Sequence, residues 1–294
     1  MLLGSIACIT AQTFAFKFFN RDYMKNMPIY FFFQILHFGI AALIVLAVNG
    51  GFGDARWETV AFAAVFSGFF IVFFFCYSKA FENGPLSLSS LFNSFSVLVP
   101  VVVSFVAWGE DLRVVQFFGL ALLLFVFVLS SRTKSGEEGT VQKGISVKWV
   151  LFIVPVVLIN GFLMVIQKWH QIISPGKEVS EFLICVFSFS CAICVAAFFI
   201  SRLSMKRREE PAPPLIQDKK FFRVVAMAGV ATPLGNLLIV SLASMIPSVL
   251  LFPGLQGGTV ILVSIISMLF LKERISWVGK LALVLGIVAI VLLA

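Results

Sequence analysis

The chain alternates between long apolar runs and short polar connections over nearly its whole length. Most runs contain about 20 residues, which is the length at which an α-helix crosses the hydrocarbon core of a bilayer. Helices are predicted because open strands leave backbone groups unpaired in lipid, and no alternating barrel pattern is present. The pattern predicts an all-α polytopic membrane protein with ten transmembrane helices, at residues 2–19, 28–48, 57–79, 85–108, 112–131, 149–171, 180–201, 221–244, 247–271 and 275–294.

Two distant segments, Pro85–Ser131 and Met245–Ala294, share one layout. In each, polar positions precede an acidic turn and an apolar return helix follows it. An offset of 163 residues places Asn93 on Gln256, Ser94 on Gly257, Ser96 on Thr259 and Glu110 on Glu273. The likeness indicates either an internal duplication or a chance match between apolar helices.

The longer connection Arg132–Lys148 separates five predicted spans from five. This predicts an N-terminal repeat at 1–131, a connecting loop at 132–148 and a C-terminal repeat at 149–294. Because each half contains an odd number of spans, the two halves are expected to be inverted relative to each other. That arrangement is typical of transporters with inverted-topology repeats.

Composition supports a membrane protein. The chain is 60% hydrophobic and 12% charged, whereas soluble domains average ~45–50% apolar and ~25% charged residues. The net charge of +8 lies in short loops, where it indicates contact with anionic lipid headgroups rather than nucleic acid. Membrane lipid is therefore an expected partner, and nucleic acid is not.

The distribution of basic residues predicts an orientation. Connections after odd-numbered spans hold seventeen lysines and arginines, and the other connections hold five. The odd connections are therefore predicted to be cytoplasmic, which places both termini outside. The first run, Met1–Ala15, has no basic segment before it and no small-residue cleavage site, so it is interpreted as the first span rather than a signal peptide.

The ionisable residues narrow the mechanism. All acidic residues fall in loops or at helix ends, which disfavours proton transport through an intramembrane carboxylate. His37 lies near the middle of the second span, with Gln34 on the same helix face. This pair is either a hydrogen-bonding contact between helices or a group that binds substrate or relays a proton.

Uncharged polar side chains recur in several other spans, among them Gln12, Tyr77, Asn160, Gln167 and Thr232. In lipid such groups need partners, so they either join helices or face a polar substrate cavity. The cavity hypothesis places its lining in spans 2, 4, 7, 8 and 9. Its candidate substrate-binding residues are Gln34, His37, Asn93, Ser96, Asn236, Gln256 and Thr259.

Proline and glycine cluster near these candidates. Helix breaks are predicted at Pro85, Pro233, Pro253, Gly257 and Gly258, because interrupted helices free backbone groups for substrate or ions. The alternative explanation for the cluster is that proline and glycine are common in membrane helices in general.

Charged side chains also lie near the ends of several spans. Lys17 and Lys168 lie near the ends of spans 1 and 6. They either extend to the headgroups or supply a cavity-mouth charge that favours anionic substrates. Glu110 and Glu273 are expected to form ion pairs at tight turns. No catalytic residue, metal site or cofactor is predicted.

The segments GPLSLSSLFNS, VVVSFVAWGEDLRVVQFFGLALLLFVFVLSS and MIPSVLLFPGLQGGTVILVSIISMLFLKERISWVGKLALVLGIVAIVLL resemble the EamA-type half-repeats of the drug/metabolite transporter superfamily. The acidic turns after spans 4 and 9 carry most of the likeness. It implies ten helices in two inverted halves around a central cavity that opens to either side. The small four-span relatives carry a membrane-embedded Glu in their first helix, which this chain lacks. The resemblance also implies cytoplasmic termini, in conflict with the charge distribution.

The sequence therefore predicts a secondary transporter or facilitator that moves a small metabolite or drug-like solute by alternating access. The expected location is the cell membrane, and a homodimer is among the assemblies considered. The alternatives are an integral membrane enzyme acting on lipids, which would need convergent ionisable residues, and a channel or accessory subunit. Substrate, transport direction and coupling ion are left open. The 35 phenylalanines either accept aromatic compounds by stacking or face lipid.

Overall fold

The structure is a computed structural model that describes residues 1–24, 26–84, 86–109, 114–131, 146–208, 218–271 and 277–293. Over these residues it is helical and contains no strand. The α-helices are α1 (Leu2–Asp22), α2 (Met27–Asn49), α3 (Trp57–Asn83), α4 (Leu86–Ser94), α5 (Leu98–Trp108), α6 (Val114–Ser131), α7 (Val147–Ile173), α8 (Val179–Arg207), α9 (Lys219–Ala243), α10 (Ser248–Ile266) and α11 (Trp277–Leu293).

Local sequence accounts for several helix ends. The Asn26 side chain accepts a hydrogen bond from the backbone N–H of Ile29 at 3.2 Å, and the Asp218 side chain accepts one from Phe221 at 2.9 Å. Each satisfies an N–H that has no partner within its helix. Helix α2 ends at Gly50, whose φ of 73° lies in the left-handed region that glycine adopts without strain.

The predicted all-α membrane class is confirmed. Within the described ranges, eight helical stretches are long and apolar enough to cross a membrane: Leu2–Asp22, Met27–Asn49, Trp57–Asn83, Leu88–Trp108, Val147–Ile173, Val179–Arg207, Lys219–Ala243 and Leu250–Phe270. Helices α6 and α11 are further helices at the positions of the fifth and tenth predicted spans. The count of ten spans and the inverted repeat stay predictions.

The helix irregularities differ from those predicted. Helix α9 runs through Pro233, and α10 runs through Pro253, Gly257 and Gly258 without interruption. At Gly258 the missing side chain serves packing, because a Cβ there would overlap Ile6 of α1. Pro85 lies outside the described residues.

Two irregular segments appear elsewhere. A 3₁₀ turn, Phe95–Val97, separates α4 from α5, and a π-helical segment, Ser267–Leu271, follows α10. The predicted turns at Glu110 and Glu273 are outside the described part of the chain.

The N-terminal helices pack mainly against the C-terminal ones. Helix α2 lies against α8, α1 against α9, α3 against α7, and α6 against α11. Helix α1 also contacts α10, while α7 contacts α4 and α5. This arrangement surrounds one space with α1, α3, α4, α7, α9 and α10.

Candidate functional site

A cavity of about 90 Å³ lies between helices from both parts of the chain. A buried water needs roughly 10–15 Å³ of volume measured in this way, so the cavity has room for about six to nine waters. Its wall is formed by Ile9, Gln12, Thr13, Phe16, Phe66, Phe70, Phe73, Phe74, Tyr77, Asn93, Asn160, Leu163, Met164, Gln167, Asn236, Ile239, Phe252, Leu255 and Gln256. None of these described lining residues is charged.

Aromatic rings form one side of the cavity. Four phenylalanines of α3 recur at helical spacing along the face that lines it: Phe66, Phe70, Phe73 and Phe74. Phe74 stacks on Phe16 of α1 with ring centroids 4.5 Å apart and an interplanar angle of 7°. Phe70 and Phe74 lie 4.6 Å apart. These contacts hold the rings against one another.

Amide side chains form another part of the cavity wall. The Asn160 amide nitrogen donates to Asn93 Oδ1 and to Ser96 Oγ, each at 2.9 Å. Gln167 donates to Asn236 Oδ1 at 3.1 Å, and Asn236 donates to the Thr232 carbonyl oxygen at 2.9 Å. These bonds join α7 to α4 and to α9 while leaving the amides on the cavity surface.

The structure brings three predicted candidates to the cavity surface, Asn93, Asn236 and Gln256. Ser96 is buried behind Asn160, to which it is hydrogen-bonded. Thr259 donates to the Leu255 carbonyl oxygen of its own helix at 2.8 Å and does not line the cavity.

Gln34 and His37 lie outside the cavity, in a closed hydrogen-bond chain. Gln34 donates to Tyr30 Oη at 2.9 Å and accepts from His37 Nδ1 at 3.1 Å. Thr232 Oγ1 lies 2.7 Å from His37 Nε2 and donates to it in the neutral, Nδ1-protonated ring. The polar face of α2 is therefore satisfied by α9. Helices α2 and α8, at the positions of predicted spans 2 and 7, pack on each other and contribute no residue to the wall of this cavity.

Lys17 and Lys168 bind helix ends. The Lys17 amine lies 3.5 Å from the Phe81 carbonyl oxygen in the last turn of α3. The Lys168 amine donates to the carbonyl oxygens of Ala243 and Ile246, at 3.1 and 3.3 Å, where α9 ends. A cation near a helix C-terminus interacts favourably with its unpaired carbonyls and dipole. Neither lysine lines the cavity.

Polar contacts between α1 and α9 lie at one end of the bundle. Tyr23 donates to Asp218 Oδ1 at 2.5 Å, and Lys220 pairs with Asp22 at 2.7 Å. Burial and the bond to Asp218 raise the pKa of Tyr23 to about 12. The same hydrogen bond, with that of the Phe221 N–H, lowers the pKa of Asp218. We call this group the α1–α9 cluster.

Contacts of α3 with α7 and α8 lie at the other end. Arg56 pairs with Glu178 at 2.8 Å and donates to Ser174 Oγ. Thr59 donates to Glu178 Oε2 at 2.5 Å and lies 3.0 Å from His170 Nε2. Burial alone would raise the pKa of Glu178, but the bonds from Thr59 and Arg56 outweigh it and hold that pKa below its ordinary value. We call this group the α3–α8 cluster.

Five polar lining residues were not among the sequence's cavity candidates: Gln12, Thr13, Tyr77, Asn160 and Gln167. All but Thr13 are among the polar residues that the sequence predicts either to join helices or to face a polar cavity. The spacing on α7 could have indicated that two of these residues line one surface, because Asn160 and Gln167 are seven residues apart and share a helix face. Which polar face meets the cavity depends on helix packing that hydropathy does not encode.

Residues 1–132 match the model of the EamA-like transporter family. The resemblance to the drug/metabolite transporter superfamily is thereby confirmed, and the chain is an integral, multi-pass membrane protein.

Comparison with solved structures supports the fold over the whole chain. One crystal structure superposes with a TM-score of 0.62 and 16% sequence identity, covering 99% of this chain and 94% of the other. At that identity the likeness concerns the fold alone. No curated protein sequence matches this chain significantly.

Proposed function

We propose that the chain is a secondary transporter or facilitator that moves a small solute across the cell membrane by alternating access. One observation carries the proposal. A cavity with polar groups lies between the N-terminal and C-terminal helices of an EamA-like membrane protein, and contacts between these two sets of helices lie at each end of the bundle. Loosening one cluster while the other holds would open the cavity to one side only.

The helix contacts support two equivalent halves. A twofold axis that exchanges α1, α2 and α3 with α7, α8 and α9 would convert the α1–α9 contact into the α7–α3 contact. It would also convert α2–α9 into α8–α3, and α1–α10 into the contacts of α7 with α4 and α5. All of these contacts occur. The axis would pass through the α2–α8 and α6–α11 contacts and exchange the two helices of each pair.

The cavity lining follows the same relation. Adding 151 to the residue numbers of the α1 lining residues gives the α7 lining residues: Ile9, Gln12, Thr13 and Phe16 correspond to Asn160, Leu163, Met164 and Gln167. The same offset relates Lys17 to Lys168, and each binds the last turn of the third helix in its own half. Residues that share an environment at a constant offset are what a duplication would produce.

The two closing clusters are related as well. The offset of 151 takes Tyr23 to Ser174, and an offset of 162 takes Arg56 to Asp218. Tyr23 binds Asp218, and Arg56 binds Ser174. Each pair therefore joins the end of a first helix to the start of the third helix in the other half. In an inverted repeat such pairs lie on opposite membrane faces.

Reversible cross-linking tests this proposal. In a variant whose five native cysteines are replaced, Tyr23→Cys/Asp218→Cys and Arg56→Cys/Ser174→Cys are each joined by a short thiol reagent that reduction cleaves. We expect either cross-link to stop solute exchange in proteoliposomes and reduction to restore it. A third cysteine at Asn93 should then be labelled only from the side that is not cross-linked.

Other outcomes identify the rivals. Conductance without saturable exchange would identify a channel. Exchange that continues with both ends cross-linked would overturn alternating access. Asn93→Ala and Gln256→Ala are each expected to abolish exchange while the amount of folded protein stays unchanged, and normal exchange in both would refute the central cavity.

A further inference from the structure

The cavity wall offers no counter-charge to a bound ion. Its described lining residues contain no Asp, Glu, Lys, Arg or His. The nearest cations by sequence position, Lys17 and Lys168, are bound to carbonyl oxygens at helix ends. An isolated charge is costly in an apolar interior unless it is paired. The wall therefore favours a solute without net charge.

Two amides on the cavity surface have unused hydrogen-bonding capacity. Gln12 on α1 and Gln256 on α10 line the cavity, and neither side chain is hydrogen-bonded to another described residue. Gln256 is nevertheless only 7% exposed. An amide presents a donor and an acceptor side by side, and it pairs bidentately with a flat edge that carries the complementary groups.

The phenylalanine wall on α3 favours a flat ring beside those amides. Base-like rings stack favourably on an aromatic side chain, with little dependence on ring identity. The cavity volume of about 90 Å³ restricts the size. Since it corresponds to about six to nine waters, one heteroaromatic ring with its substituents is the size expected.

Resting on the proposed transport function, we infer that the substrate class is the small, uncharged heteroaromatic compounds that carry an amide-like edge, with the chemistry of a pyrimidine nucleobase or a pyridine carboxamide. The ring would lie against the wall formed by Phe66, Phe70, Phe73 and Phe74. Its donor–acceptor edge would bind the amides of Gln12 and Gln256.

Matched solutes test the inference in proteoliposomes. Nicotinamide and nicotinate have nearly the same shape, but nicotinate is an anion at neutral pH. Uracil is a second neutral ring, and glucose is a neutral solute without an aromatic face. We expect saturable uptake of nicotinamide and uracil, with nicotinate and glucose at least about tenfold weaker, as for a site built to hydrogen-bond its ligand.

Variants of the two amides locate the site. Gln12→Met and Gln256→Met keep the side-chain length and remove the hydrogen bonds, so each should weaken uracil binding about five- to tenfold. The matched control is Asn83→Ala, because that amide binds the Lys79 carbonyl oxygen at the end of α3, away from the cavity. Binding is read from ligand-induced stabilisation of purified protein, so loss of folding would be seen directly.

The outcomes separate the two proposals. Saturable uptake of nicotinate or glucose that equals or exceeds that of nicotinamide would leave transport standing and overturn the substrate class. Unchanged affinity in both Met variants would overturn the assignment of the amides. No uptake or stabilisation by any of the four solutes would overturn the substrate class, while the cross-linking experiment judges transport separately, from labelling of the cavity.

Discussion

Replacing Gly161 by alanine should test how closely α7 must approach the 3₁₀ turn beside the cavity. A Cβ at Gly161 would lie 2.5 Å from Val99 Cβ and 2.7 Å from the Ser96 carbonyl oxygen. Carbon atoms attract best at about 3.5–4.0 Å, so α7 would have to move by roughly 1 Å. That movement would stretch both 2.9 Å bonds that Asn160 donates to Asn93 and Ser96.

The magnitude follows from three contributions. Overpacking costs about 1–3 kcal/mol, and the upper end applies because one contact is with backbone. The two strained hydrogen bonds add about 0.6 kcal/mol each. Alanine offsets about 1 kcal/mol through its better helix propensity. The net loss is about 3 kcal/mol, which corresponds to a fall in melting temperature of about 6–12 °C at ~2–4 °C per kcal/mol.

Thermal unfolding of purified protein in detergent, at one fixed scan rate, measures this change. Fluorescence of the five tryptophans provides the signal. The matched control is Gly68→Ala in α3, where a Cβ would meet nothing within 4 Å, so its melting temperature should stay level or rise. If the melting temperature of Gly161→Ala equals that of the wild type or of Gly68→Ala, the close approach of α7 is refuted.

Three further changes test other contacts. Thr232→Val removes the donor to His37 and should cost about 0.6–1.7 kcal/mol of stability, with recovery in Thr232→Ser; equal melting temperatures would contradict the hydrogen-bond chain. Glu178 has a lowered pKa in the fold, so its stabilising effect is present above its ordinary pKa and is lost as the pH falls through the lower, folded-state pKa. The melting temperature should therefore fall with acid in the wild type, and this fall should be smaller in Glu178→Gln. Lys168→Met should lower stability, because the end of α9 at Ala243 loses its cation, and changed selectivity between anionic and neutral solutes would show that this charge serves the cavity instead.

Hydropathy alone determined the class of the protein and most helix positions. Runs of about 20 apolar residues can satisfy their backbone in lipid only as helices, and most predicted spans begin and end within four residues of an observed helix end. The sequence also identified which polar residues within these runs matter, because an amide in an apolar run needs a hydrogen-bond partner whichever side of the helix it lies on. Asn93, Asn236 and Gln256 are among these positions, and each lines the cavity.

Only the tertiary structure decided which polar face meets the cavity. In a membrane, lipid and the protein interior are similarly apolar, so the apolar pattern of a helix does not distinguish the face toward lipid from the face toward another helix. His37 and Gln256 are both polar residues in apolar runs, yet His37 is satisfied by Thr232, 195 residues away along the chain. Gln256 has no such partner among the described residues and borders the cavity. That difference arises from which helices become neighbours, and no local feature of the sequence records it.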